Sequence, residues 1–279
     1  MKFSIALLAA LFFGPSVSCS AAQDNKPLQD RLGLHAATVR LQPIVHLRKG
    51  VDAWPLIAHP ANAAELRVNA SLQEMNHRLA QALRGCDDAL ALSPQSKDSA
   101  GQKIKDATGD WERRVTVAMQ GPRFLSLIVS DEISFCGGNY PNREDIAVVF
   151  DLTTGELVRW DAFVAQSAEA QADSESTLDG SRQATLILPA LEKLNTPAAD
   201  DACKNVFKEK QSFLVWPDAQ MGQLEAEATG LPHVVQGCVQ KIRLSTKKAR
   251  ELGFNDDLLT AIEQAHQRIV VGKPNSKRH

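Results

Sequence analysis

The chain is 279 residues long, with 31 Lys and Arg against 33 Asp and Glu, a formal net charge of −2 and a pI near 6.4. That balance excludes a surface built for nucleic acid, which needs a basic patch, and the short Lys273…Lys277-Arg278-His279 end reads as a solvated tail. After the first few residues no apolar run approaches the roughly 20 residues that a membrane span requires, so no transmembrane segment is expected.

The N-terminus has the three-part layout of a secretory signal. Lys2 supplies the positive charge, Ile5 to Phe13 the apolar run, Gly14-Pro15 the break, and small residues continue to Ala22. Ser20-x-Ala22 predicts cleavage before Gln23, leaving residues 23–279 as a single mature domain in the periplasm or outside the cell. The alternative is a degraded lipoprotein signal, Ser16-Val17-Ser18-Cys19, with a lipid anchor on Cys19.

Without Cys19, four cysteines remain: Cys86, Cys136, Cys203 and Cys238. An even count in an exported chain reads as a disulfide framework. Three pairings are open. Cys86–Cys136 with Cys203–Cys238 is favoured, because each bridge then closes a loop within one half of the chain. There is no C-x-x-C pair and no His cluster, so neither a metal nor another cofactor is expected.

Residues 35–47 are rich in β-branched and apolar types and read as a strand bent at Pro43. Trp54-Pro55-Leu56-Ile57 reads as a connection. Asn62-Ala63-Ala64-Glu65 opens a helix whose Leu66, Asn69, Leu72, Met75, Asn76, Leu79 and Leu83 recur at helical spacing, with Gly85 as its stop. A polar excursion occupies residues 87–109. Strands follow at residues 111–120, 124–136 and 146–152, the last entering a hairpin turn at Thr153–Glu156 and returning to Trp160. Residues 167–181 read as a loop poor in apolar side chains. Helices are expected at residues 186–194, 201–210, 245–252 and 256–269. Short strands are expected at residues 213–216, 224–228, 234–235 and 241–244. Ser245 is the N-cap and Gly253 the stop of one helix.

The stretch from Ser130 to Phe163 carries Gly137-Gly138 after a strand, Phe150-Asp151 with Gly155 closing the next one, and then Asp161-Ala162-Phe163. This pattern resembles the C-terminal extracytoplasmic domain of unknown function found in RsiV-type anti-sigma factors and PdaC-type peptidoglycan deacetylases. The likeness extends loosely over residues 40–270, with Asn69 where the family's first helix tends to carry Asn. Where the family commonly has His in the loop, this chain has Tyr140. The resemblance implies an α+β fold: a curved antiparallel sheet with helices packed on one face, stapled here by disulfides. It also implies an extracytoplasmic, non-catalytic binding role, with an envelope protein or a peptidoglycan fragment as partner.

Several residues stand out as ligand-binding candidates. Gly137 and Gly138 let a backbone approach a ligand closely, and Asn139, Tyr140 and Asn142 offer polar contacts from the same turn. Trp216 and Asp218, at a strand end, are candidates to line a groove, and His233 lies near Cys238. Asp218 and His233 together define the alternative function, a periplasmic hydrolase, although no Ser-x-x-Lys or Gly-x-Ser-x-Gly nucleophile accompanies them. Asp131 and Glu132 are adjacent on a strand and so face opposite ways. Both read as solvated charges.

Overall fold

A computed structural model describes residues 38–92, 110–134, 136, 142–177, 182–195, 203, 211–231 and 237–272. The fold is α+β with two open, mostly antiparallel sheets, in place of the one sheet that the resemblance implies. The first sheet has the order β1-β2-β3-β4-β5-β6 and the second the order β11-β10-β9-β8-β7.

The first sheet comprises β1 (His46–Arg48), β2 (Val51–Asp52), β3 (Asp110–Gln120), β4 (Phe124–Ser134), β5 (Asn142–Asp151) and β6 (Glu156–Leu157). Only the β2–β3 pair is parallel. Alternation decides its two faces. Leu125, Leu127 and Val129 of β4 and Ile146, Val148 and Phe150 of β5 share a core with Val68, Leu72 and Met75 of the long helix α1 (Ala63–Leu92). Phe124, Ala147 and Val149 join a second core with the other sheet. A strand buried on both faces loses the clean apolar–polar alternation of a half-exposed one, and β4 and β5 do read as near-continuous apolar runs.

Helix α1 starts where the sequence places it. Asn62 Oδ1 accepts from Glu65 N at 2.9 Å, and the Glu65 carboxylate accepts in return from Asn62 Nδ2 and Ala61 N. This is a reciprocal cap that satisfies the helix's first donors. Gly85 does not stop the helix, which runs on to Leu92. One interior glycine costs only about 1 kcal/mol, whereas Cys86 and Leu90 extend the buried stripe past it.

The second sheet comprises β7 (Gln171–Ser176), β8 (Arg182–Ile187), β9 (Ser212–Asp218), β10 (Gln223–Thr229) and β11 (Ile242–Ser245). β7 occupies a stretch expected to be a loop. Its side chains are polar, but its backbone pairs with β8 from Gln171↔Ile187 to Ser176↔Arg182. The expected helix at 186–194 is split: β8 ends at Ile187, and a short α2 (Pro189–Leu194) begins with proline at its first turn. The expected strand at 35–47 shrinks to β1 and a single bridge between Leu41 and Ile57. The expected helix 201–210, apart from Cys203, and the expected strand 234–235 lie outside the described residues. Helices α3 (Thr246–Glu251) and α4 (Asp256–Gly272) follow, with Ser245 Oγ capping Lys248 N at 3.2 Å. Leu258, Leu259 and Ile262 of α4 enter the core that holds Phe213, Val215, Leu224 and Ala226. The helices are thus shared out, α1 with the first sheet and α4 with the second.

Both expected disulfides are formed, Cys86–Cys136 and Cys203–Cys238. The first joins α1 to the end of β4. Among the described residues, no helix is long and apolar enough to cross a membrane.

Candidate functional site

The two sheets meet across an apolar core that holds Phe124, Ala147, Val149, Leu214 and Trp216, beside which polar and charged side chains gather in a cleft. β5 is the contact strand, and Gln183 of β8 accepts from Ala147 N at 3.3 Å. At the end of β9, Ala219 N donates to Ala118 O of β3 at 2.9 Å, a direct backbone link between the sheets. Between these ties a cleft of about 390 Å³ opens.

Strand register builds its walls. On the first sheet Arg114, Ser130 and Asp145 are direct cross-strand neighbours on β3, β4 and β5, with Thr116 and Ile128 one pair further along. On the second sheet Leu214 of β9 pairs with Glu227 of β10, and Trp216 pairs with Glu225. Because strand side chains alternate, Leu214, Trp216 and Glu227 point into the cleft, while Phe213 and Val215 pack away from it against α4. Val239 and Lys241, just ahead of β11, close one end.

The floor is apolar and the rim is charged. Trp216 is 3% exposed and Leu214 2%. Lys241 Nζ lies 4.9 Å above the Trp216 ring and 3.6 Å from Glu225 Oε2. Arg143 Nη2 stands 3.5 Å from Asp145 Oδ2. Arg114 is exposed and has no ion-pair partner among the described residues.

The central feature is a carboxyl pair. Glu227 of the second sheet and Asp145 of the first line the same cleft. Burial, then the nearby Asp145 charge, push Glu227 up to about 7, while Lys241 and Arg143 pull it down. Two neighbouring carboxyls resist joint ionisation, so Glu227 keeps its proton further up the pH scale than an isolated carboxyl does. Polar and charged side chains outnumber Ile128, Leu214 and the other apolar residues of the lining, which suits a charged group better than an apolar one.

Of the sequence candidates, Trp216 lines this cleft. Asn142 begins β5, the strand that carries Arg143 and Asp145, and its backbone pairs with Ile133. Asp218 lies at the far end of β9, where its Oδ1 accepts from Met221 N at 3.0 Å and holds the β9–β10 turn. Gly137, Gly138, Asn139, Tyr140 and His233 lie outside the described residues. Asp131 is not a solvated charge: it is fully buried and ion-paired with Arg113 beneath α1. Glu132 is exposed on the opposite face.

Arg114, Asp145, Glu227 and Lys241 escaped the sequence reading. Their signal was present in the pairs Arg143/Asp145 and Glu225/Glu227. Each places two charges two residues apart on an apolar strand, and hence on one face. Among the described residues, no group of three His, Cys, Asp or Glu is placed to hold a metal ion. No family model matches the chain, and no curated protein is similar to it.

Proposed function

We propose that the chain is an exported, non-catalytic binding module of the cell envelope, and that its ligand, a protein segment or a cell-wall fragment, seats in the cleft between the two sheets. The observation that carries this reading is the cleft itself, where three cations, a carboxyl pair and a buried Trp floor converge from six strands and connections. The two disulfides suit an oxidising compartment outside the cytoplasm. The likeness of residues 130–163 to the extracytoplasmic RsiV and PdaC domain points the same way, with a free periplasmic or secreted form favoured over one anchored through Cys19.

Trp216 makes the reading testable. Titration of the mature protein with soluble peptidoglycan fragments should move the Trp216 indole resonance, assigned with a Trp216→Phe variant, and should saturate. Arg114→Glu should abolish the shift. Saturable binding that leaves Trp216 unmoved would place the site elsewhere. Turnover of the fragments during the titration would replace the binding reading with an enzymatic one.

A further inference from the structure

The lining of the cleft has an unequal charge balance. Arg114, Arg143 and Lys241 contribute three cations, while Asp145 and Glu227 contribute two carboxyls, of which Glu227 is pushed up to about 7 by burial and by the Asp145 charge. The neighbouring charges largely cancel. Glu225 is held between Lys241 at 3.6 Å and Arg243 at 3.5 Å. Glu112 and Glu132 face each other across β3 and β4 on the exposed part of the same face, where solvent screens them.

Arg114 is the telling residue. It stands directly across the strands from Ser130 and Asp145, beside the carboxyl pair, and has no ion-pair partner among the described residues. A guanidinium presents a planar fork of donors that matches a carboxylate or a phosphate. Lys241 and Arg143, whose own ion-pair contacts are long, stand on the same rim.

Building on the proposed binding role, we propose that the cleft is an anion subsite, in which an acidic group of the ligand lies among Arg114, Arg143 and Lys241, beside Asp145 and Glu227. A proton held on Glu227 supports this arrangement. A bound anion next to two ionised carboxylates would place three negative charges around one small cleft. With one carboxyl neutral, the rim keeps a surplus of positive charge. The ordinary range of Glu227, lifted to about 7, puts the loss of this proton near neutral pH. Binding is therefore linked to pH, and the acidic side favours it.

Carboxylate and phosphate share this chemistry, and separate probes distinguish them. The mature protein is titrated calorimetrically at pH 6 and pH 8 with a short peptide bearing a free C-terminal carboxylate, with the same peptide as its C-terminal amide, and with inorganic phosphate. A soluble peptidoglycan-fragment mixture serves as the control for the cleft. The carboxylate peptide or phosphate should bind about tenfold tighter at pH 6 than at pH 8, which is the change in the protonated fraction of one group titrating near 7. The amide should bind at least tenfold more weakly than its acid. Glu227→Gln, which is neutral at both values, should bind equally at pH 6 and pH 8. Arg114→Ala should lose most of the affinity at both. Equal affinities for acid and amide, or no pH dependence in the wild type, would overturn the anion subsite. If the fragment mixture moves Trp216 while neither anion binds, the subsite fails and the binding role stands; if the fragments also leave Trp216 unmoved, both fail.

Discussion

Asn76 grips both backbone groups of Trp54: its Oδ1 accepts from the Trp54 N–H at 2.8 Å and its Nδ2 donates to the Trp54 carbonyl at 3.0 Å. Two helical turns earlier, Asn69 does the same to Ile57, at 2.7 and 3.0 Å. The segment between the short β2 and α1 has little strand pairing of its own, so these two amides take the place of a neighbouring strand. Asn76→Ala leaves a buried donor and a buried acceptor unpaired, each worth about 1–3 kcal/mol. The urea midpoint should fall accordingly, and Asn76→Asp, which cannot donate when ionised, should not restore it.

Gly155 forms the turn between β5 and β6 with φ of +77°, and a Cβ built there would stand 2.2 Å from the carbonyl oxygen of Ala64 in the first turn of α1. The conformation alone costs a side chain about 1–2 kcal/mol, and the clash with rigid helix backbone adds to it. Gly155→Ala should lose more than about 2 kcal/mol, and Gly155→Val more still. A thermal midpoint within a degree of wild type for either variant would show that the turn does not pack against α1.

Arg113 and Asp131 are both fully buried, 3.1 Å apart, with Trp111 Nε1 donating to the other Asp131 oxygen at 2.9 Å and the Trp54 ring 4.8 Å from the guanidinium. Removing one partner strands a charge under α1. Asp131→Ala should cost about 3–5 kcal/mol. Replacing both with apolar residues of similar size, as in Arg113→Met with Asp131→Leu, should recover much of that loss, and a double-mutant cycle by chemical denaturation measures how much.

The folded chain holds a proton on Glu227 that an unfolded chain releases at the ordinary value of 4.5. Between that value and about 7 the native state binds more protons than the unfolded one, so this group makes stability fall as pH rises through the window, with no further change above it. Glu227→Gln should flatten that part of the profile. Denaturant midpoints measured from pH 4.5 to 8 decide it, and a wild-type slope identical to that of the variant would mean that Glu227 holds no extra proton in the folded chain.

The legible parts of the sequence were those whose signal is local. The stripe of Leu72, Met75, Leu79 and Leu83 and the Asn62–Glu65 cap placed α1, and the Thr153–Glu156 turn placed the β5–β6 hairpin. The even cysteine count pointed to a disulfide framework, and closing each loop within one half of the chain selected the bridges that form. What was not legible depends on partners distant in sequence. β7 has almost no apolar side chains and owes its strand to pairing with β8. Asp131 reads as a surface charge until Arg113 and α1 are laid over it. The cleft is harder still, because Asp145 and Glu227 come from different sheets, and only the packing of β5 against the second sheet brings them into one lining.

The Cys86–Cys136 bridge separates the connectivity of the molecule from the continuity of its chain. Residues 87–135 form a covalent ring closed by that bond, and residues 204–237 form another closed by Cys203–Cys238. A single proteolytic cut inside either ring leaves one molecule of unchanged mass but for a water, migrating as intact protein until a reductant is added. A chain nicked inside the first ring keeps α1 tethered to β4, and loses a piece of itself only where reduction and cleavage coincide.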